Sequence, residues 1–473
     1  MFRADQIDSN QRLFWIASIV IATSVVGMAL IKASSFLVIA ILAAFVIAIF
    51  SFLAPEYSLY LLLVSMLLSP EFSVAVLPGS SGLRGLTLRY EDVLLLIIGT
   101  AWFMKTAIKK ELGLFLHTPL NKAIAAYLVV CLLSTMIGYQ MGRVRGVTGF
   151  LFVFKYFEYI VIYFMAVNIL KEKKQVERFV AVMLIVCFVT CIVGLIQVPA
   201  GDRVSAPFEG QEGEPNTLGG YLILILSVVL GLLLTDKRPR QKPFLLVLLV
   251  VCFITLGLTL SRGSWVAMFP MLLTLIYFTN KRSAIIIPLL FIIAFSPLLL
   301  PQSVKDRVYY TYLQPHDRSD VQIGEFKLDQ STAARVYTWR QVLTKDFARH
   351  PIMGYGVTGY GFVDAQYPRV LIETGLLGLS FFVLLLAAIY RYALKAYRVT
   401  RDPFFKGLIL GYLGGFVGLL VHGISANTFI IVRIMEPFWF LTAMVIMIPK
   451  IESLDVADGI GVGTGSTNNR RDQ

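Results

Sequence analysis

The chain has 473 residues, 57% of them hydrophobic and only 15% charged, with a mean hydropathy of +0.75. A water-soluble domain carries roughly 25% charged residues, so this composition excludes a soluble enzyme and makes lipid the solvent. The formal net charge of +13 comes mostly from Lys and Arg in short loops between apolar runs, a membrane-topology pattern that argues against nucleic acid as a partner.

A helix that crosses a membrane needs roughly 20 mainly apolar residues. Runs of that kind predict spans at 13–31, 34–54, 57–69, 90–108, 121–138, 149–170, 177–198, 217–235, 244–260, 264–279, 284–301, 368–390, 405–425 and 430–449. The expected fold is therefore all-α and polytopic, with about fourteen transmembrane helices. The first run follows Arg3, Asp5, Asp8 and Arg12 and has no small-residue cleavage site behind it, so it is expected to remain as a helix.

Loop charge alternates along the chain. One set of gaps holds Lys105, Lys109, Lys110 and Lys122, then Lys171, Lys173, Lys174 and Arg178, then Lys237, Arg238, Arg240 and Lys242, then Lys281 and Arg282, and later Arg391, Lys395, Arg398, Arg401 and Lys406. The short gaps between them hold little beyond Lys32, Arg84, Arg89, Arg143, Arg145, Arg203 and Arg262. This asymmetry predicts that both termini are cytoplasmic.

The chain divides accordingly into helices over 1–301, a long extracytoplasmic loop over 302–367, three further helices over 368–450 and a tail over 451–473. Within the loop, Ser331 and Thr332 can cap a helix running to about His350, where Pro351 stops it. Val336, Trp339, Leu343 and Phe347 recur at intervals of three and four and predict one apolar stripe, suited to the membrane surface. Gly354 to Gly361 follows no predicted strand, so it reads as a flexible loop rather than a dinucleotide fingerprint. Beyond Glu452 the Gly, Asp, Ser, Thr and Asn content predicts disorder.

Charges inside spans are costly and mark candidate functional positions. Lys155 and Glu158 are three apart, as are Arg433 and Glu436, so each pair can neutralise itself on one helix face. His422 reads as a packed, hydrogen-bonded helix residue. Cys131, Cys187, Cys191 and Cys252 all fall in apolar runs and read as buried thiols; no spacing signals a bound metal. On the outward side, Arg203, Arg262, Arg335 and Arg340 could converge on a diphosphate, because guanidinium forks bind phosphate oxygens bidentately; the plainer alternative is solvated loop arginines. Carboxylates on that side are Glu209, Glu212, Glu214 and Asp364, with Glu373 beyond it, and Asp364 and Glu373 flank the start of the twelfth span close to Tyr367 and Arg369.

The segment RVYTWRQVLTKDFARHPIMGYGVTGYG, Arg335 to Gly361, followed by YPRVLIETGLLGLSFF, resembles the signature region of O-antigen ligases and O-antigen polymerases. Arg335, Trp339, His350, Pro351, Gly354 and Gly356 match that family's pattern, as do Glu373 to Leu379. Upstream, TLSRGSWVA resembles its Ser-Arg-Gly element carrying Arg262, and RVSAPFEGQEGEPNTLGGYL resembles an element holding Arg203, Phe208, Pro215 and Asn216. The resemblance covers roughly residues 200–450. It implies a polytopic glycosyltransferase of the C type at the outer face of a prokaryotic inner membrane. The implied partners are an undecaprenyl-diphosphate-linked glycan, an acceptor glycan and membrane lipid; neither metal nor other cofactor is implied.

Arg262 and Arg335 are then the expected diphosphate ligands, with Arg203 and Arg340 as lesser candidates. Where ligases of the family commonly carry a His-Asn pair, this chain has VDAQYPR, so Asp364 is the expected catalytic base, and Tyr367, Arg369 and Glu373 are expected at the substrate. Three functions are compatible: a polymerase of lipid-linked repeat units, a ligase moving finished polymer to another acceptor, and a flippase or secondary transporter.

Overall fold

The computed structural model describes residues 35–76, 85–108, 118–200, 203–209, 213–236, 238–299, 302–313, 322–323, 326–327 and 330–464. Apart from 13–31, which lies outside the described residues, every predicted span is a helix. They are α1 (Ser35–Leu53), α2 (Pro55–Leu68), α3 (Tyr90–Ile108), α4 (Asn121–Gln140), α5 (Thr148–Ile169), α6 (Lys173–Gln197), α7 (Pro215–Thr235), α8 (Lys242–Leu258), α9 (Arg262–Phe278) and α10 (Ser283–Leu299). After the loop helices α11 (Gln302–Leu313) and α12 (Gln330–Gln341) come α13 (Gln366–Val399), α14 (Pro403–Ser425) and α15 (Val432–Thr464).

Among the described residues, α4, α5, α6, α7, α13, α14 and the Val432–Leu454 part of α15 are long and apolar enough to cross a membrane. The protein is thus an all-α, polytopic membrane protein. Two small antiparallel hairpins, which the sequence did not predict, interrupt the helices: β1 (Glu71–Val76) with β2 (Gly85–Arg89), and β3 (Gln322–Ile323) with β4 (Phe326–Lys327).

Local sequence explains the helix starts. Asp402 caps α14 by accepting from the Phe404 and Phe405 N–H groups, both at 3.1 Å, and Pro403 follows where its missing N–H costs nothing. Glu172 and Gln175 form a capping box at α6. At the centre, α7 and α14 lie backbone to backbone: a side chain at Gly231, Gly407 or Gly411 would strike the main chain of the other helix. In lipid no water is expelled when helices meet, so close contact between small residues supplies the attraction instead. Ser227 adds a hydrogen bond to the Gly411 carbonyl at 2.6 Å. Around this pair the rings of Tyr412, Phe416 and Phe438 stack. The exposed side chains of α1, Phe45, Val46 and Leu53 among them, are apolar and suited to lipid.

Three expectations need correction. The twelfth predicted span, read as one continuous run over 368–390, is interrupted: α13 breaks at Gly375 (φ 69°). The loop helix does continue to Arg349, but as α12, then a π-turn over Val342–Asp346, then a 3-10 turn. The widened turn rotates the buried face by one residue, so Val342 and Asp346 are buried while Leu343 of the predicted stripe is 51% exposed. The C-terminal tail, expected to be disordered, is helical to Thr464. Glu452 anchors it by accepting from the Arg401 and Asp402 N–H groups at 2.9 and 2.8 Å, and propagation from an anchored helix is cheap.

Candidate functional site

The polar groups gather where several helix ends meet: the starts of α7, α9, α13 and α15 and the ends of α2, α8 and α14. Ser261 is the N-cap of α9, its hydroxyl accepting from the Ser264 N–H. That hydroxyl donates to Asn216 at the start of α7 (2.7 Å) and meets the Ser264 hydroxyl at 2.8 Å. Ser264 reaches His422 Nε2 at 3.1 Å, and Thr428 holds His422 Nδ1 at 2.8 Å. His422 is fully buried with both ring nitrogens partnered, as the sequence suggested. These contacts fix Arg262, the first residue of α9.

Arg203 lies against the same turn. Its Nε donates to the Thr259 carbonyl at 3.2 Å and its Nη2 to the Leu260 carbonyl at 3.1 Å. Desolvation there, together with the nearby charges of Arg307 and Arg262, pushes Arg203 down to about 10. Arg203 thus sits in the positive field of Arg262 and Arg307. Arg307, on α11, was missed in the sequence because it belongs to no motif.

Arg335, on α12, grips Asp364: Nη2 is 2.9 Å and Nε 3.3 Å from Asp364 Oδ2. Both side chains are partly open, at 23% and 30% exposure. Arg335 lies within electrostatic reach of His422, the residue whose ring Ser264 and Thr428 hold. Arg340 is not brought in. It is exposed, and five residues beyond Arg335 at about 100° per residue it leaves the helix on another side.

Tyr367 ties helices together, its hydroxyl donating to the Leu420 carbonyl of α14 at 2.6 Å. Arg369 and Glu373 are buried and paired at 3.1 Å, and Glu373 also accepts from the Thr358 N–H at 3.1 Å. They line a cavity of about 380 Å³ whose other walls include Arg143, Arg145 and the 358–362 segment. Asp346 supports that segment by accepting from Tyr360 Oη at 2.7 Å; burial and the Asp346 carboxylate raise the Tyr360 phenol above its usual value.

The break in α13 explains the glycine-rich motif. The Tyr355 and Gly356 N–H groups donate to the Ile372 and Glu373 carbonyls at 2.9 and 2.8 Å, and the Leu376 N–H donates to the Pro351 carbonyl at 2.8 Å. A side chain at Gly375 would collide with the Ile352 carbonyl. The 351–356 segment, whose last residues open the Gly354–Gly361 run expected to be flexible, thus supplies the partners that the interrupted helix lacks, as a membrane interior demands.

Deeper in the same end lies a buried charge network. Lys155 does not simply neutralise Glu158: it binds Asp92 of α3 at 2.9 Å and Glu158 at 3.5 Å. Arg433 does not pair with Glu436 either. It donates to the Leu67 and Ser69 carbonyls, both at 3.3 Å, and to those of Pro207 (2.6 Å) and Phe208 (3.4 Å), with Glu209 at 3.9 Å. Glu214 N–H donates to Glu209 at 2.8 Å; Glu212 lies outside the described residues. Elsewhere the Cys187, Cys191 and Cys252 sulfurs converge, all within 4.8 Å of one another, which spacing along the chain did not reveal.

Residues 246–383 match the family model described as O-antigen ligase. The matched stretch includes α9 with Arg262, the loop with Arg335 and Asp364, and the break in α13. No curated protein matches the chain. The family match supports an O-antigen ligase or polymerase type of function for this multi-pass membrane protein.

Proposed function

We propose that the protein is a glycosyltransferase that joins undecaprenyl-diphosphate-linked glycan units into polymer, for O-antigen, capsule or exopolysaccharide. It works at the extracytoplasmic face of a prokaryotic cytoplasmic membrane, with both termini cytoplasmic. The observation that carries this reading is Arg203 fastened to the Thr259 and Leu260 carbonyls just before Arg262, with the Arg335–Asp364 ion pair in the 302–367 loop.

When the bond between the anomeric carbon and the diphosphate oxygen breaks, negative charge grows on the leaving lipid diphosphate, and fixed cations there lower the barrier. Arg262 and Arg335 bind the diphosphate, with Arg203 and Arg307 adding positive field. The acceptor sugar hydroxyl attacks the anomeric carbon and gives its proton to Asp364. Arg335 holds Asp364 Oδ2, which leaves Oδ1 for the hydroxyl. Arg369 and Glu373 shape the neighbouring cavity on the acceptor side.

Ligase activity, moving finished polymer to a different acceptor, is the second reading, favoured by the description of the matched family. Lipid-linked intermediates of a deletion strain separate the two: single repeats on the carrier support a polymerase, long chains stranded on it a ligase. In a reconstituted system, Arg262→Lys and Arg335→Lys keep the charge but lose the fork, and each should reduce transfer by about 10²-fold without affecting carrier translocation. Normal elongation by both variants would overturn the diphosphate assignment; loss of translocation with them would point to a transporter instead.

A further inference from the structure

We infer that the cavity beside α13 is a binding site for an acidic sugar, so that the acceptor glycan carries carboxylate or comparable anionic groups. The identification of its occupant as the acceptor rests on the function proposed above; the charge preference rests on the cavity alone. Its volume of about 380 Å³ lies in the range of about 300–1,000 Å³ typical of small-molecule sites.

Its charge is unbalanced. Of the three arginines in its wall, only Arg369 has a carboxylate partner, Glu373. Arg143 spends one nitrogen on the Gly354 carbonyl at 3.2 Å and lies 5.6 Å from the Tyr355 ring. Arg145 is exposed at the rim. Among the described residues neither Arg143 nor Arg145 forms a salt bridge, so two guanidinium groups face the cavity without a counter-ion.

The loop that presents them is built for the purpose. Gly142 and Gly146, with φ of 69° and 60°, allow the sharp turns on either side, and neither position is crowded. Between the two arginines Val144 is buried, packed against Gly138, Gly149 and Gly356, which anchors the loop while its neighbours on both sides point away. Opposite, Tyr360 offers an aromatic ring held by Asp346, and Phe362 of the wall is two residues from Asp364. Fixed forks suit carboxylate geometry.

The test uses the full-length protein in detergent at low ionic strength, with trigalacturonate as probe and maltotriose as its neutral counterpart of equal ring number, by calorimetry. The inference expects trigalacturonate to bind at least tenfold more tightly, an advantage that salt erodes. Arg145→Gln should remove most of it while the melting temperature stays unchanged, and Arg143→Gln should remove most of it at a lower melting temperature, because the Gly354 carbonyl loses its donor. Equal affinity for the two sugars, no binding of either, or a preference that survives both substitutions would overturn it. The same titration on Arg262→Lys separates the two proposals. Retained binding with normal transfer would leave the acidic-sugar site standing and the diphosphate reading failed.

Discussion

Phe208, Leu260 and Thr358 are the non-glycine residues with positive φ among the described residues, and each borders the site. Such backbone costs about 1–3 kcal/mol per residue and persists only where neighbours enforce it. Here the enforcers are side chains of the site: Arg433 holds the Phe208 carbonyl, Arg203 the Leu260 carbonyl and Glu373 the Thr358 N–H. Arg433→Gln should therefore cost about 3–5 kcal/mol, read as a lower thermal midpoint in detergent, because carbonyls from two segments and Glu209 lose their partner together. The Arg203 group invites a second measurement. Three like charges repel, so inorganic pyrophosphate should raise the melting temperature, adding about 2.7 kcal/mol at a hundredfold excess over Kd. Arg203→Gln should shrink that shift, and salt should suppress it. At this scale the sequence was a partial guide. Arg203, Arg262 and Arg335 stood out through their motifs, whereas Arg307 sits among ordinary loop charges, and Arg340 entered as a lesser candidate because helix phase was not weighed.

At the scale of elements, the interrupted α13 and the loop docked into it behave as one unit. Gly375 combines a positive-φ backbone with the Ile352 carbonyl occupying the space a side chain would need. Gly375→Ala should destabilise the protein by about 1–3 kcal/mol and weaken the seat of Glu373, two residues away, measurable as a lower melting temperature with reduced transfer. Apolar runs in the sequence were enough to locate the helices, since lipid leaves few other ways to satisfy a backbone. They could not reveal the break, because ETGLLGL sits inside a longer apolar run, and the loop that makes the break tolerable lies about twenty residues upstream. The π-turn at Val342–Asp346 escaped for a similar reason: periodicity assumes constant turn width, and one wide turn moves Asp346 inward to meet Tyr360.

At the scale of the molecule, a pair of glycine substitutions separates helix preference from packing. Replacing a helical Gly by Ala ordinarily stabilises by about 1 kcal/mol. Gly257, with nothing near its α-carbon, should follow that rule. Gly411 should reverse it by about 1–3 kcal/mol, since the added methyl would be driven into the Val228 main chain across the α7–α14 contact. Thermal midpoints of the two variants in the same detergent test the contrast. The charge alternation and apolar runs made the multi-pass architecture legible. Which helices touch was not legible, because pairing depends on small residues that are common throughout the chain.

The α7–α14 contact also bears on how such a protein could handle a growing product. Asn216 lies in the first turn of α7 and His422 in the last turn of α14, so the main-chain contacts at Gly231, Gly407 and Gly411, toward the opposite ends of both helices, hold in register the two rods that carry the arginine turn. On the polymerase reading proposed above, a lengthening product would find its clearance at the rim, in the 142–146 and 358–362 segments, rather than by parting these two helices.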